Sequence, residues 1–182
     1  MLIWRGWVGA PPPWEPWLSS MIRRAHPDAE MRDPWSDLRR VDRAPLAHAV
    51  AAAPPAERAR HESNLLRYLA LDLHGGVWLD WDVVPLRPLD QLPPLCCAAV
   101  NGSAEGGIIA APAGSMRRVL NEALLRSTQR GPWLGTPRVS GASVLAAAFD
   151  GPPLALHTHD RLGRPLVPAA DAAALHLWAS SR

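Results

Sequence analysis

The sequence predicts an α/β domain with a mostly parallel central sheet flanked by helices, on three observations. Apolar runs of strand length alternate with stretches of helical period along the whole chain. The run Val77-Trp78-Leu79 is uniformly apolar, so the strand it begins is expected to be covered on both faces. A chain of 182 residues fits one domain, residues 1–182, that can bury a core without disulfides.

Leu2 to Val8 reads as the first strand, ended by the rigid loop Gly9-Ala10-Pro11-Pro12-Pro13. Trp14 to Arg24 reads as a helix, with Trp17, Leu18, Met21 and Ile22 on one side and His26-Pro27-Asp28 closing it. Ala29 to Asp33 suits a short strand and Ala44 to Ala53 a helix. Pro54-Pro55 breaks the chain and opens the next helix, since proline is tolerated in a first helical turn. That helix, about Ala56 to His74, carries the stripe Leu65, Leu66, Leu69 and Leu73 and ends at Gly75-Gly76. Strands are expected at Leu95 to Val100 and Gly107 to Ala111, and helices at about Ser115 to Arg130 and Ser140 to Phe149. The tail holds a strand at Leu154 to Thr158 and the apolar segment Ala172 to Trp178.

Composition narrows the function classes. The net charge of +2 argues against a nucleic-acid partner, and the basic residues are all arginine, a sign of GC-rich coding. No apolar run reaches about 18 residues, so no integral membrane segment is expected. The N-terminus has no signal-peptide pattern, which makes a cytoplasmic location the expectation. Cys96 and Cys97 read as small buried hydrophobes in a reducing compartment, because neighbours on a strand point to opposite faces.

The chemistry concentrates at Asp80-Trp81-Asp82, where a buried strand ends. On an extended segment the two carboxylates point the same way and repel unless a cation lies between them. Mg²⁺ or Mn²⁺ takes such oxygen ligands and shares them with phosphate oxygens. Removing either carboxylate is therefore expected to relieve repulsion and leave the fold intact. Geometry adds Asn64 and Arg67. A helix advances about 10 Å from Arg67 to His74, and a strand returns about 10 Å from Val77 to Asp80. If the strand runs back along the helix, both residues come near the aspartates, Asn64 partly exposed at the site. Two readings stand: a grip on sugar hydroxyls and phosphate, or a solvated Asn64 beside an Arg67 salt-bridged to an aspartate.

The stretch Ser63-Asn64-Leu65-Leu66-Arg67-Tyr68 followed by Gly75-Gly76-Val77-Trp78-Leu79-Asp80-Trp81-Asp82 resembles glycosyltransferases with the DXD sugar-binding region. These include initiating mannosyltransferases of yeast glycan synthesis, capsular polysaccharide transferases of glycosyltransferase family 32 type and, more remotely, the glucosylating domains of large clostridial toxins. The opening Ile3 to Gly9, the stretch Asn101 to Leu120, the turn Val139-Ser140-Gly141-Ala142 and the pair His176 and Trp178 resemble further family segments in the same order. The resemblance implies a GT-A-like fold, Mn²⁺ or Mg²⁺, a nucleoside-diphosphate sugar donor and retention of configuration. It implies that Trp7, Val8 and Gly9 line the donor base site, that Asp82 and Asp80 hold metal and donor, and that His176 completes the metal or phosphate shell. Asn64 stands where the family has aspartate, so Asn64→Asp is expected to alter donor choice more than stability. Trp78 stands in place of the usual tyrosine and Ala142 of proline.

The expected function is metal-dependent transfer of a sugar from such a donor to an unidentified acceptor (small molecule, glycan or peptide), with Asp80, Asp82, Arg67 and Asn64 as the working residues. Alternatives are a nucleotide-sugar hydrolase or nucleotidyltransferase on the same fold, or a non-catalytic nucleotide-binding module. His157 and His159 have a metal-like spacing. Glu105 either faces the acceptor or sits in an exposed turn. One or two of Trp4, Trp7, Trp14 and Trp17 are candidates to stack on a base or sugar.

Overall fold

The structure, a computed structural model, describes residues 1–6, 11–38, 41–85, 88–100, 103–129, 132–151, 153–158 and 174–176. Its elements are β1 (Leu2–Gly6), α1 (Glu15–Ala25), β2 (Glu30–Arg32), α2 (Pro34–Asp37), α3 (Ala44–Ala52), α4 (Pro55–His74), β3 (Gly76–Asp80) and β4 (Val83–Pro85). A 3-10 turn at Leu89–Gln91 leads to β5 (Cys96–Val100), β6 (Ser103–Ala111), α5 (Arg117–Thr128), α6 (Thr136–Val139), α7 (Ala142–Ala148), β7 (Pro153–Thr158) and β8 (Ala174–His176).

The strands are ordered β2-β1-β3-β6-β5-β7-β8-β4. β2, β1, β3, β5 and β7 point the same way, and β6 runs against its neighbours β3 and β5. The mostly parallel α/β arrangement read from the sequence is therefore present. The Gly75-Gly76 stop does two jobs: both residues take positive φ, 66° and 105°, and a side chain on Gly76 would press within 2.5 Å of the Leu2 carbonyl oxygen. Only glycine lets α4 end there and β3 run tight against β1.

Two apolar clusters cover the sheet. One joins Trp4, Trp78 and Ile109 to Leu65, Leu66 and Leu69 of α4 and to α5 and α7. The other joins Ile3, Val77, Leu79 and Ile108 to Leu18 and Ile22 of α1 and to Val83 and Leu89. β3 is thus buried on both faces, as its uniform apolar run requires.

Helix faces needed correction at two points. Trp17 is 58% exposed although Leu18 and Ile22 beside it are buried, and Leu73 is 39% exposed at the end of α4. The side of α1 that meets the sheet is centred on Leu18 and Ile22 and leaves Trp17 to solvent. Leu73 lies at the last turn of α4, beyond the completely buried stretch Leu65–Leu66 and Tyr68. Among the described residues no helix is long and apolar enough to cross a membrane. Cys96 and Cys97 are free and buried, and burial pushes their thiols up to about 11 and about 12.

Candidate functional site

β1 has β2 on one side and β3 on the other, with Gly6 opposite Asp80 at the ends of the two parallel strands. The connections that follow β1 and β2 thus leave toward opposite edges. A sheet built this way opens a crevice outside the carboxyl ends of the diverging strands, where ligands of open α/β folds bind. Asp80-Trp81-Asp82 turns at that crevice. Asp80 closes β3, Trp81 and Asp82 form the turn, and β4 starts at Val83. The pair therefore spans a strand end and a turn rather than one extended segment. Asp82 is buried, and the Asp80 side chain is 20% exposed.

Arg67 reaches the site from α4, as the rise arithmetic required. Its Nη2 donates to Asp80 Oδ1 at 2.7 Å in a largely buried ion pair. The Trp78 indole N–H donates to the same oxygen at 2.7 Å, and the Arg67 guanidinium lies over the Trp78 ring at 5.1 Å. Trp78, whose indole stands where the resemblance has a tyrosine, is thus a support of Asp80. Gly106 of β6 makes room for this arrangement, since a Cβ there would land on Arg67 Nη1. Gly107 lies beside Asp80 Oδ2, 3.8 Å from where its Cβ would stand. The adjoining Glu105 sits within β6, opposite Ala98, and not in a turn.

A second arginine, absent from the sequence-derived candidates, flanks the turn. Arg5 is 4% exposed, and its Nη1 donates to the Asp80 main-chain carbonyl at 3.1 Å. Burial pushes its pKa down to about 10, against the opposing pull of Glu15, Asp80 and Asp82. The two aspartates thus have two guanidinium groups for company. Repulsion between bare carboxylates, the premise drawn from sequence, is not the electrostatic state of this site. A charged residue in the apolar strand Ile3-Trp4-Arg5 was the signal, because arginine is seldom buried without a role.

Asn64 goes elsewhere. It is 8% exposed, not partly exposed at the site, and its amide donates to Ser140 Oγ at 3.3 Å. Ser140 gathers α4: His61 Nδ1 lies 2.7 Å from its hydroxyl, and the Tyr68 hydroxyl donates to its carbonyl at 2.7 Å. Ser127 Oγ lies 3.0 Å from the other ring nitrogen of His61. Burial pushes the His61 pKa down to about 4 and the Tyr68 phenol above its ordinary range. The turn at Ser140 is thereby fastened to the helix that delivers Arg67.

The donor set fits a cation that uses few protein ligands. Two adjacent carboxylates offer hard oxygens, and Mg²⁺ or Mn²⁺ commonly completes its shell with water and substrate phosphates. Among the described residues no group of three or more His, Cys, Asp or Glu is placed to hold a metal. The backbone of His176 pairs with Val83, the residue after Asp82, and with Thr158. Trp7, Val8, Gly9 and His159 lie outside the described residues. Trp4 is buried, with its indole N–H on the Gly75 carbonyl at 3.0 Å, whereas Trp14 and Trp17 are exposed.

Residues 20–97 match the family model "Glycosyltransferase sugar-binding region containing DXD motif". Among solved structures the chain is similar to "PaToxG Glycosyltransferase", with a TM-score of 0.65, 15% identity and 80% of this chain covered. The match spans 66% of that structure's chain. No curated protein matches this chain in sequence. At this identity the structural likeness speaks for the fold, and the family match, which contains Asp80 and Asp82, speaks for the site. Residues 20–97 are therefore similar to the glycosyltransferase sugar-binding region of the DXD type, and the chain has a fold similar to that of a glycosyltransferase.

Proposed function

We propose that this protein transfers a sugar from a nucleoside-diphosphate sugar to an acceptor nucleophile, with a divalent cation and with retention of configuration. The observation that carries the reading is the Asp80-Trp81-Asp82 turn at the crevice between β1 and β3, held by Arg67 from α4. Asp82 and Asp80 would hold Mn²⁺ or Mg²⁺, and the cation would supply Lewis-acid stabilisation of the departing diphosphate. Trp78 and Arg67 fix Asp80 Oδ1, so the carboxylate is oriented before any ligand arrives. Transfer breaks the bond from the anomeric carbon to the diphosphate oxygen and forms one to the acceptor, whose proton leaves with the diphosphate. Trp7, Val8 and Gly9, which come next after β1 in the sequence, would line the base, and His176 would add to the phosphate shell.

Asn64 in this reading fastens α4 to Ser140 and shapes the site without gripping the sugar. The test is consumption of UDP-, GDP- and ADP-sugars by the full chain, with Mn²⁺ or with EDTA. Release of nucleoside diphosphate that depends on Mn²⁺, with sugar appearing on an added acceptor, is expected. Consumption that is equal in EDTA would refute the cation. Binding without consumption of any donor would favour the non-catalytic module, and release of free sugar alone would favour a hydrolase.

A further inference from the structure

Arg5 is costly where it stands. Its position on β1 pairs with Leu79, and Ile3 and Leu79 belong to one apolar cluster, so an aliphatic side chain would suit that face. Instead a guanidinium is 4% exposed, with one hydrogen bond to the Asp80 carbonyl at 3.1 Å. Its Nε and Nη2 are buried and have no hydrogen-bond partner among the described residues. Unpaired buried donors and a desolvated charge both disfavour folding. What the arrangement offers in return is a fixed positive charge beside the turn that carries Asp80 and Asp82.

We propose that Arg5 is a positioning residue, the built-in counter-charge of the Asp80–Asp82 turn, and that it sets how strongly the turn takes a divalent cation. The inference rests on the reading that this turn holds the cation. Arg5 anchors the Asp80 main chain while Arg67 anchors the side chain, so the turn is held by one guanidinium from β1 and one from α4. A charge at Arg5 opposes an incoming cation through a largely water-free region, where electrostatic forces are poorly screened. The site therefore stays assembled without metal, binds Mn²⁺ weakly and needs substrate phosphates to hold it.

The experiment is titration of the full chain with Mn²⁺ alone, read by the electron paramagnetic resonance of free Mn²⁺. Arg5→Gln, which keeps an amide donor and removes the charge, is expected to bind Mn²⁺ about tenfold tighter than wild type. Arg5→Lys, which keeps the charge, should stay within about threefold of wild type. Should Arg5→Gln fail to fold, Arg5→Met, matched to the apolar face, is read in the same way. Wild-type binding with unchanged or weaker affinity in the uncharged variant would overturn the counter-charge and leave the cation site standing. No Mn²⁺ binding by either protein would overturn both the inference and the cation reading beneath it. Unfolding of both uncharged variants while Arg5→Lys folds would make Arg5 a purely structural ion and end the proposal.

Discussion

Asp80→Ala removes the acceptor of two buried donors. Arg67 is 7% exposed, and its Nη2 and the Trp78 indole N–H both meet Asp80 Oδ1 at 2.7 Å. Breaking a buried ion pair by deleting one partner typically costs about 3–5 kcal/mol, because the other charge stays buried and unpaired. A stranded indole N–H adds about 1–3 kcal/mol in isolation, though the two penalties share one relaxation and do not add. The Asp80 side chain is 20% exposed, so water can reach the gap and the lower end applies. The expected loss is about 3 kcal/mol, or about 6–12 °C in Tm for a chain of this size. Urea denaturation of wild type and variant without metal measures it directly. Adding Arg67→Met should return part of the loss, since removing both charges leaves nothing stranded. Wild-type or higher stability for Asp80→Ala would refute the reasoning and restore the repulsion between carboxylates inferred from sequence.

Two further outcomes are expected. His61 ionises at about 4 in the folded chain and near 6.5 when unfolded, so the unfolded state binds the extra proton in between. Its contribution is complete above about pH 6.5 and is lost as the pH falls toward 4, to the extent of about 3 kcal/mol; His61→Gln should flatten that part of the stability profile, and an unchanged slope would exclude His61 as its source. Asn64→Asp places a carboxylate in the cluster where Ser140 Oγ already serves His61 at 2.7 Å. A loss of about 1–3 kcal/mol in urea denaturation is expected; unchanged stability with an altered donor profile would return Asn64 to the sugar.

Local signals in the sequence determined much of the framework. The proline opening and glycine stop of α4, the uniform apolar run of β3 and the alternation of strands and helices were all legible, because each depends on residues within a turn or two. The meeting of Arg67 and Asp80, 13 residues apart, was also within reach, because rise per residue fixes how far a helix goes out and a strand comes back. Elements of three or four residues, such as α2, α6 and β4, are too short to show a period. Even so, Asp33 before Pro34 was a readable start for α2, and the Asp33 carboxylate does cap it through the amides of Trp35 and Ser36. Only the tertiary structure decided the rest of the site. It brought Arg5 to the Asp80 carbonyl across 75 residues, Asn64 to Ser140 across 76, and set Gly106 against Arg67. Such partners follow from strand order and register, which depend on how all the apolar faces are buried together, and no local pattern records which distant residue will lie opposite.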